Sequence, residues 1–256
     1  MRSLLSGIVE LQPNDTEHDF RNKLLDWIAE NGWTFNEVEE IMVPSSLLAP
    51  DHVTYLGSAV FHPNYPANLD PQNPDLSARR AFEVNRRYFL RRIWAPNRTT
   101  LAALMMNPSA ADELCGDDTI DFLMKYAKHN GYGKLLIVNT SPVIKGSNTT
   151  ATDFPPDDVN WFYIKWAIEQ ADEVVLGWGE NGRKWGMPAL RNNYSFAQLL
   201  EDHLSKLRVF GYVDENSRRP YPKHPHPQKV EHRFGLDHLL LPVTIDKLLA
   251  MLLDPR

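Results

Sequence analysis

Four short polar segments hold the residues of this chain best suited to chemistry, and they occupy similar positions relative to the predicted strands. The segments are MMNPSAAD at 105–112, IVNTSPV at 137–143, LGWGENG at 176–182 and PKHPHP at 222–227. The first three follow or close a short apolar run, and the fourth lies just beyond another. In an open α/β sheet, the loops after the carboxyl ends of the strands form one crevice, where ligands bind. The order therefore predicts a single site built from all four segments.

Two asparagines at predicted strand ends are the first candidates. Pro108 keeps Asn107 out of helical geometry, and an amide held there can position a water molecule because it offers both a donor and an acceptor. Asn139 ends the run LLIV, and its donor and acceptor can read the hydrogen-bonding edge of a nucleic-acid base. The alternative interpretation of both residues is an ordinary turn.

Two carboxylates and a histidine complete the set. Asp112 and Asp117 follow Asn107 and can either cap the next helix or approach a ligand. His224 lies between prolines that stiffen its loop, and a neutral histidine there can donate to an oxygen that gains negative charge in a transition state. His224 and His226 are also possible metal ligands, but no Cys, Asp or Glu stands beside them, so we expect no metal.

The glycines of LGWGENG predict close approach of the backbone rather than a cofactor loop. Their spacing differs from that of a dinucleotide-binding loop, and the lysine and hydroxyl residue of a phosphate-binding P-loop are missing. The sequence therefore indicates no cofactor.

The elements that would position these residues alternate between strand and helix. Strands are predicted at 88–94, 99–106, 135–138, 173–176 and 207–210. Helices are predicted at 118–128, 157–170 and 196–206, with a last one after Thr244 that has Ile245, Leu248, Leu249 and Leu252 on one face. This alternation predicts an α/β fold, a three-layer sandwich with a mainly parallel central sheet.

Residues 1–78 are predicted to form a small, mostly helical appendage. They hold twelve acidic residues and three basic ones, and 62–75 is rich in proline, asparagine and aspartate, as is typical of a linker. Helices are expected after Thr16 and at 36–42. We place the boundary near residue 78, with the α/β domain at 79–256.

Bulk properties exclude several classes of protein. The single cysteine, Cys115, rules out a disulfide framework and a four-cysteine zinc or iron–sulfur site. No apolar run approaches the length of a membrane span, and the first residues lack the apolar stretch of a signal peptide. We therefore expect a cytoplasmic protein with no membrane contact and no apparent obligate protein partner.

Basic residues are concentrated in two stretches although the net charge is −6. Residues 79–98 hold seven arginines against one acid, and 208–233 is also rich in Lys, Arg and His. Such clusters can follow a phosphate backbone, although solvated strand faces are an equally good interpretation. The candidate DNA-contacting residues are Arg86, Arg87, Arg91, Arg92, Arg218, Arg219 and Lys223.

Taken together, the four segments resemble the motifs of the uracil-DNA glycosylase superfamily, in the same order. MMNP stands where that superfamily has G-Q-D-P or G-I-N-P, Asn139 where it has a strand-end asparagine, LGWG where it has L-L-W-G, and KHPHP where it has H-P-S-P. The chain resembles more closely an uncharacterised bacterial and phage domain family with the pattern L-N-P-S-T-A-D, D-P-T-I, V-N, W-G and G-x-P-x-H-P. These resemblances imply the uracil-DNA glycosylase-like fold more firmly than the reaction.

The resemblance implies a role for each matching residue. Asn107 would position the attacking water, Asn139 would read the pyrimidine, and His224 would stabilise the departing base. Ser109 replaces a glycine of the motif, and His226 replaces a serine that contacts a phosphate. No aromatic residue stands at an obvious base-stacking position, so Phe122, Tyr126 and Tyr221 are only candidates.

We therefore expect a monofunctional DNA glycosylase that removes a pyrimidine, with Asp112 and Asp117 as secondary catalytic candidates. A bulky modified pyrimidine of phage DNA is a possible substrate, which would make the protein a defence enzyme. Two alternatives stay open: hydrolysis or transfer of the base of a free nucleoside or nucleotide, and a non-catalytic sensor of modified DNA.

Overall fold

The computed structural model describes residues 43–44, 56–62, 85–109, 111, 116–146, 148–227 and 229–252. The two helices predicted near the N-terminus and nearly all of the predicted linker lie outside these residues. In the part of the chain that the structure describes, no helix combines the length and apolar character needed to cross a bilayer.

Ten strands and six α-helices are found in the part of the chain that the structure describes. The strands are β1 (Val43–Pro44), β2 (Leu56–Phe61), β3 (Arg87–Ile93), β4 (Thr100–Met105), β5 (Lys134–Asn139), β6 (Glu173–Leu176), β7 (Leu207–Val209), β8 (Tyr212–Val213), β9 (Tyr221–Pro222) and β10 (Leu241–Pro242) among the described residues. The helices in the same residues are α1 (Asp118–His129), α2 (Asp158–Gln170), α3 (Gly179–Asn181), α4 (Met187–Asn193), α5 (Phe196–Asp202) and α6 (Ile245–Leu252). A π-helical turn, Gly182–Gly186, joins α3 to α4.

Eight of the strands form one mixed sheet in the order β1-β2-β3-β5-β4-β6-β7-β10. Its four central strands, β5, β4, β6 and β7, are parallel, and the strands on both sides pair antiparallel. β8 and β9 form a separate antiparallel pair. The predicted α/β class is confirmed, and the parallel pairing is confined to the centre of the sheet.

Helices cover both faces of this sheet because the side chains of each strand alternate. On β4, Ala102 and Leu104 belong to a cluster with residues of α2, α4, α5 and α6, whereas Leu101, Ala103 and Met105 belong to a cluster with residues of α1. Two apolar layers on opposite faces give the arrangement of a three-layer α/β fold.

The helix α1 shows how local sequence places an element beside the sheet. Asp117 caps its N-terminus, and Lys128 and His129 lie in its last turn, where positive charge is favourable. The buried Ile120 and Leu123 share one face of the helix, directed at the sheet. This orientation brings the capped end of α1 to the carboxyl end of β4.

Strand β2 changes the predicted domain boundary. Residues 56–61 fall within the predicted N-terminal appendage, yet β2 pairs with β3 along its length, with Ala59 opposite Leu90. Ala59 and Val60 are buried in the two apolar clusters. This part of 1–78 therefore belongs to the central sheet, because its pairing partner lies across the predicted linker.

Most predicted elements agree with the structure, and the differences are local. The helix predicted at 196–206 is divided into α5 and a 3₁₀ turn, and the helical segment from Gly179 to Asn193 was not predicted. In α6, Leu248 and Leu252 are buried as expected, but Ile245 and Leu249 are 44% and 48% exposed. The short helix buries a narrower stripe that also includes Met251.

β4 lies between β5 and β6 in the sheet, and the connection that follows β4 leaves on the opposite face from those that follow its two neighbours. After β4 the chain enters α1 on one face of the sheet, whereas β5 and β6, which flank β4, lead into helices on the opposite face. Connections that leave neighbouring strands on opposite faces open a crevice at the carboxyl ends of those strands. The fold therefore places its crevice at the end of β4.

Candidate functional site

A pocket of about 630 Å³ occupies this crevice. Its wall includes Asn107, Asn139, Gly179 and His224, so all four polar segments converge on it. The volume lies within the range of about 300–1,000 Å³ that is usual for small-molecule sites. The expectation of a single shared site is met by these residues.

Asn107 lines the pocket and has one amide atom without a partner among the described residues. Its Nδ2 donates to the carbonyl oxygen of Lys145 and, at 3.2 Å, to that of Pro108. Both donor positions of the amide are therefore used inside the protein. Its Oδ1 is buried and has no hydrogen-bond partner among the described residues.

Asn139 presents a buried donor. It is the last residue of β5, it is 1% exposed, and its Nδ2 has no partner within the described part of the chain. The backbone is well bonded, since the Asn139 carbonyl accepts from Asn160 Nδ2 at 3.1 Å. A buried donor without a partner costs about 1–3 kcal/mol. An amide kept in this state at a pocket wall is suited to a ligand that supplies the partner.

Hydrogen bonds between two loops hold the asparagines relative to one another. Thr140 follows Asn139, and its backbone N donates to the Met105 carbonyl at 2.9 Å while its Oγ1 donates to the Met106 carbonyl at 2.7 Å. The Ser141 backbone N donates to the same Met106 oxygen at 3.0 Å. The ends of β4 and β5 therefore form one rigid unit that carries Asn107 and Asn139.

Glycines after β6 make room for the histidine loop. A Cβ at Gly177 would lie 2.8 Å from Pro225 Cδ and 3.0 Å from Met105 Sδ, so only glycine lets this loop approach. Gly179 has a φ of 63° and lies beside the Cβ of His224. Trp178, between them, is 1% exposed, packs in the core and also lines the pocket.

His224 is held by its own loop. Its Nδ1 lies 3.2 Å from the backbone N of His226, which donates to it, and 3.0 Å from the His226 carbonyl oxygen. The backbone of His226 thus engages Nδ1 in either tautomer, which leaves Nε2 for other contacts. Burial lowers the pKa of His224 below its ordinary value, outweighing the opposing effect of the His226 backbone and Asp117. The ring is therefore neutral at pH 7.

Asp117 lines the pocket, but both of its carboxylate oxygens already accept hydrogen bonds from the protein. Its Oδ1 accepts from the backbone N of Thr119 and of Ile120, both at 2.9 Å, and its Oδ2 accepts from Ser109 Oγ. The capping role considered for this residue is thus observed, and the serine that replaces a motif glycine ties the Asn107 loop to α1. Asp112 lies outside the described residues.

The aromatic candidates for base stacking do not meet the pocket. None of Phe122, Tyr126 and Tyr221 is among the described residues that line it. Tyr126 is buried against Phe210 and donates from its hydroxyl to the His238 carbonyl at 2.8 Å; burial raises its pKa to about 12. Phe122 packs on the same core, and Tyr221 lies under the Arg183 guanidinium. These rings stabilise the fold, so their proposed base-binding role is not supported.

Of the four candidate arginines at 86–92, Arg91 is partly exposed, and the other three are mostly or fully buried. Arg87 and Arg92 are 1% and 0% exposed, because β3 is an inner strand of the sheet. Arg86 is mostly buried and forms an ion pair with Asp157. The prediction that Arg87 and Arg92 grip DNA from the surface is therefore wrong.

The second basic cluster is more accessible. Arg218 is exposed and Arg219 and Lys223 are partly exposed, around the β8–β9 pair. Arg233, also exposed, lines the pocket.

Two cationic residues lie in the pocket wall where the sequence did not predict them. Arg87 reaches the pocket wall from β3, and Lys145 reaches it from the loop after β5. Lys145 Nζ pairs with Asp153 at 2.7 Å; burial alone would raise the pKa of Asp153, but hydrogen bonds from Lys145 and Thr150 lower it overall. Proximity to IVNTSPV was a usable signal for Lys145, whereas nothing local distinguishes Arg87 from its neighbouring arginines.

The described residues contain no group of three or more His, Cys, Asp or Glu side chains arranged to hold a metal ion. Residues 87–226 match a family model described as "Protein of unknown function (DUF1643)". Neither a curated protein nor a solved structure matches the chain. The matched range contains Asn107, Asn139 and His224.

Proposed function

The chain belongs to the DUF1643 family, whose function is unknown, and from the chemistry of its pocket we propose that it is a DNA glycosylase. It would hydrolyse the N-glycosidic bond of a pyrimidine nucleotide, releasing the base and leaving an abasic site. The observation that carries this proposal is the meeting of a fixed acceptor, a buried donor and a neutral histidine in one pocket, on Asn107, Asn139 and His224.

The acceptor on Asn107 suits the positioning of a water molecule. A water that donates to Oδ1 keeps a lone pair directed away from the amide and toward C1′ of the bound sugar. The C1′–N bond breaks with its electron pair moving to the base, and the water oxygen bonds to C1′ and releases its proton to solvent. An amide is a weak base, which fits a reaction in which the sugar already carries positive charge when water attacks.

The buried donor on Asn139 suits recognition of the base. Its Nδ2 would donate to a carbonyl oxygen or ring nitrogen on the edge of a base that has left the DNA stack. Binding replaces an unpaired buried donor with a hydrogen bond, so a base without a suitable acceptor is rejected strongly.

His224 suits the stabilisation of the leaving base. When the backbone N of His226 donates to Nδ1, the proton of the neutral ring is on Nε2, which can donate to the oxygen on which negative charge develops. A neutral donor avoids a full proton transfer to the base before the bond breaks.

The accessible cations define where DNA would lie. Arg233 at the pocket, Lys223 next to His224, and Arg218 and Arg219 on the β8–β9 loop are exposed or partly exposed and would contact phosphates, whereas Arg87 and Arg92 are buried. The pocket volume of about 630 Å³ leaves room for a bulkier modified base as well as for an unmodified pyrimidine. If that base occurs only in phage DNA, the enzyme acts in defence.

A panel of duplex and single-stranded oligonucleotides tests the proposal. It includes uracil, cytosine, 5-hydroxymethylcytosine and its glucosylated form, with abasic sites detected by alkaline cleavage. We expect cleavage of at least one of them by the native chain and loss of cleavage in Asn107→Ala. Intact DNA throughout, with protein shown to be folded by circular dichroism, would overturn the proposal.

A free nucleoside or nucleotide is a second candidate substrate, favoured by the burial of Arg87 and Arg92. Charge reversal separates the two, using Arg218→Glu combined with Lys223→Glu. Activity on DNA falls at least tenfold if DNA is the substrate, whereas activity on a free nucleoside is unchanged. Equal activity of the variant on DNA would favour the free-nucleotide reaction.

A further inference from the structure

One apolar side chain of the pocket wall is not packed into the core. Met106 follows β4 directly and precedes Asn107, it lines the pocket, and it is partly exposed. It belongs to neither apolar cluster of the described residues and is not among the partly buried side chains that pack against them. Four other apolar residues of the wall are buried and belong to a cluster: Met105, Ile120, Ile137 and Trp178. Met106 therefore has apolar surface that the described part of the fold does not use.

The backbone of Met106 is held in place although its side chain is not packed. Its carbonyl oxygen accepts from Thr140 Oγ1 at 2.7 Å and from the Ser141 backbone N at 3.0 Å. These two residues directly follow Asn139, the last residue of β5. Met106 thus keeps its place beside both asparagines. The rotatable bonds of its unbranched side chain let the thioether adapt to a ligand in the pocket.

A base bound in the proposed way still needs a contact on its faces. The hydrogen bonds proposed for Asn139 and His224 run to the edge of the ring, in its plane, and Asn107 acts at the glycosidic bond. A base that has left the DNA stack is also covered on its faces by aromatic or apolar side chains. The aromatic rings predicted for this contact are not among the described residues that line the pocket. The face of the base therefore requires another apolar surface of the wall.

From these observations we infer that Met106 stacks on the face of the flipped pyrimidine, in the place that an aromatic ring would otherwise take. This inference rests on the proposed glycosylase function and deepens it. The thioether of methionine makes favourable contacts with aromatic rings, and its flexible side chain fits rings of different outline. The site is therefore expected to accept planar pyrimidines with or without a bulky substituent.

Methyl NMR of the native chain tests the contact directly. The protein is labelled with methionine that carries a carbon-13 methyl group, and the signals of Met106 and Met124 are identified from Met106→Leu and Met124→Leu. Millimolar 2′-deoxycytidine or 2′-deoxyuridine should move the Met106 signal upfield, because a methyl group over the face of an aromatic ring is shielded. Met124 packs on the cluster around α1 and is not among the described pocket residues, so its signal should stay in place. A Met106 signal that stays in place with both nucleosides, or moves downfield, would overturn the inference.

Kinetics separate stacking from a structural role of the same residue. Met106→Ala should raise KM for the cleaved DNA about three- to tenfold with kcat nearly unchanged, because the contact is present in the bound substrate and in the transition state alike. Met106→Leu keeps an apolar side chain of similar size and should restore most of the affinity. Met124→Ala is the matched control, and both constants should stay at their native values. A fall in kcat at unchanged KM in folded Met106→Ala would contradict stacking.

The two proposals can fail separately. If no DNA is cleaved but the Met106 signal moves upfield with a nucleoside, the glycosylase proposal fails and the stacking contact stands. If DNA is cleaved while the Met106 signal stays in place, only the role of Met106 fails.

Discussion

Polar side chains at the amino ends of the parallel strands are hydrogen-bonded, whereas two at the carboxyl ends have an atom without a partner among the described residues. At the amino ends, Glu173 accepts from the Tyr132 hydroxyl and pairs with Arg208 at 2.8 Å, and Asp172 accepts from the Thr100 backbone N at 2.7 Å. At the carboxyl ends, Asn107 Oδ1 and Asn139 Nδ2 are buried without partners among the described residues. Glu173 and Asp172 at the amino ends are paired, whereas Asn107 and Asn139 at the carboxyl ends each keep one atom without a partner in the described part of the chain.

This difference separates stability from function. A buried polar group with its partners in place stabilises the fold or is neutral to it, whereas an unpaired one is destabilising unless a ligand pairs it. Substitutions at the amino ends should therefore lower the free energy of unfolding and spare activity. Substitutions at the carboxyl ends should instead lower activity.

The largest effect is expected at His224. Replacing it by alanine removes the donor to the departing base and should lower kcat by about 10²–10³-fold, as loss of a transition-state hydrogen bond does. Single-turnover cleavage measures this, with His203→Ala, on a turn distant in sequence from the pocket segments, as the histidine control. Undiminished kcat in His224→Ala would remove the histidine from the mechanism.

The pH dependence of activity sharpens the role of the same ring. Burial lowers the pKa of His224, so the ring stays neutral, and activity stays high, below its ordinary pKa of about 6.5 before falling in more acid solution. The stability linked to this shift has the same sign: it is present above the unfolded pKa and is lost as pH falls through the folded pKa. His224→Gln, which keeps an N–H donor but does not titrate, should lose this acid limb of the kcat profile. An identical acid limb in the variant would assign the limb to another group.

Asn107→Ala should lower kcat by about 100-fold, since the attacking water loses its position. Asn107→Ala also removes the hydrogen bonds that Nδ2 donates to the Lys145 and Pro108 carbonyl oxygens, so the free energy of unfolding should fall by about 1–2 kcal/mol. Asn193→Ala is the control, as Asn193 is exposed and bonds only locally on α4. A large loss of Tm with modest loss of kcat would make Asn107 a structural residue and weaken the contrast between the two ends.

Gly177→Ala should have an intermediate effect. The added methyl group meets Pro225 and Met105, and overpacking of this kind costs about 1–3 kcal/mol. Because Pro225 adjoins His224, we expect kcat to fall about tenfold together with the loss of stability, by analogy with other small misplacements of catalytic groups. Gly235→Ala, where an added Cβ meets nothing within 4 Å at a position outside the pocket lining, is the comparison in which both quantities should stay unchanged.

The smallest effect on activity is expected at the amino ends. Tyr132→Phe removes the hydrogen bond to Glu173 and should lower the free energy of unfolding by about 1 kcal/mol, measured in urea, with kcat unchanged. A Tyr132→Phe variant with native stability but a lowered kcat would contradict the assignment of stability to the amino ends and of activity to the carboxyl ends.

The sequence predicts the carboxyl-end cluster well because strand ends are local features. Apolar runs followed by polar loops locate Asn107 and Asn139, and parallel order alone brings such ends together. The sequence does not show which of their amide atoms lack partners, because this depends on the positions of the Lys145 carbonyl and of Thr140 in the folded chain. The hydrogen bonds that decide this span more than thirty residues.

The arginines of β3 show where local patterns stop being informative. In RYFLRRI, charge and apolar residues do not alternate with period two, so no face of the strand is marked as buried. Arg87 is buried because β2 lies on the outer side of β3 and Ala111 lies above it, and both contacts come from distant parts of the chain. Likewise, Tyr126 belongs to the core because Phe210 meets α1, a contact that helical periodicity cannot reveal.

Release of a free base is the most direct test of the central claim. Oligonucleotides that carry each candidate pyrimidine are incubated with the native chain, Asn107→Ala and Asn193→Ala, and the small-molecule fraction is measured by mass spectrometry. We expect one free modified base, released by the native chain and by Asn193→Ala. The amount released by Asn107→Ala should be about 100-fold lower. Release of no base, or equal release by all three proteins, would contradict it.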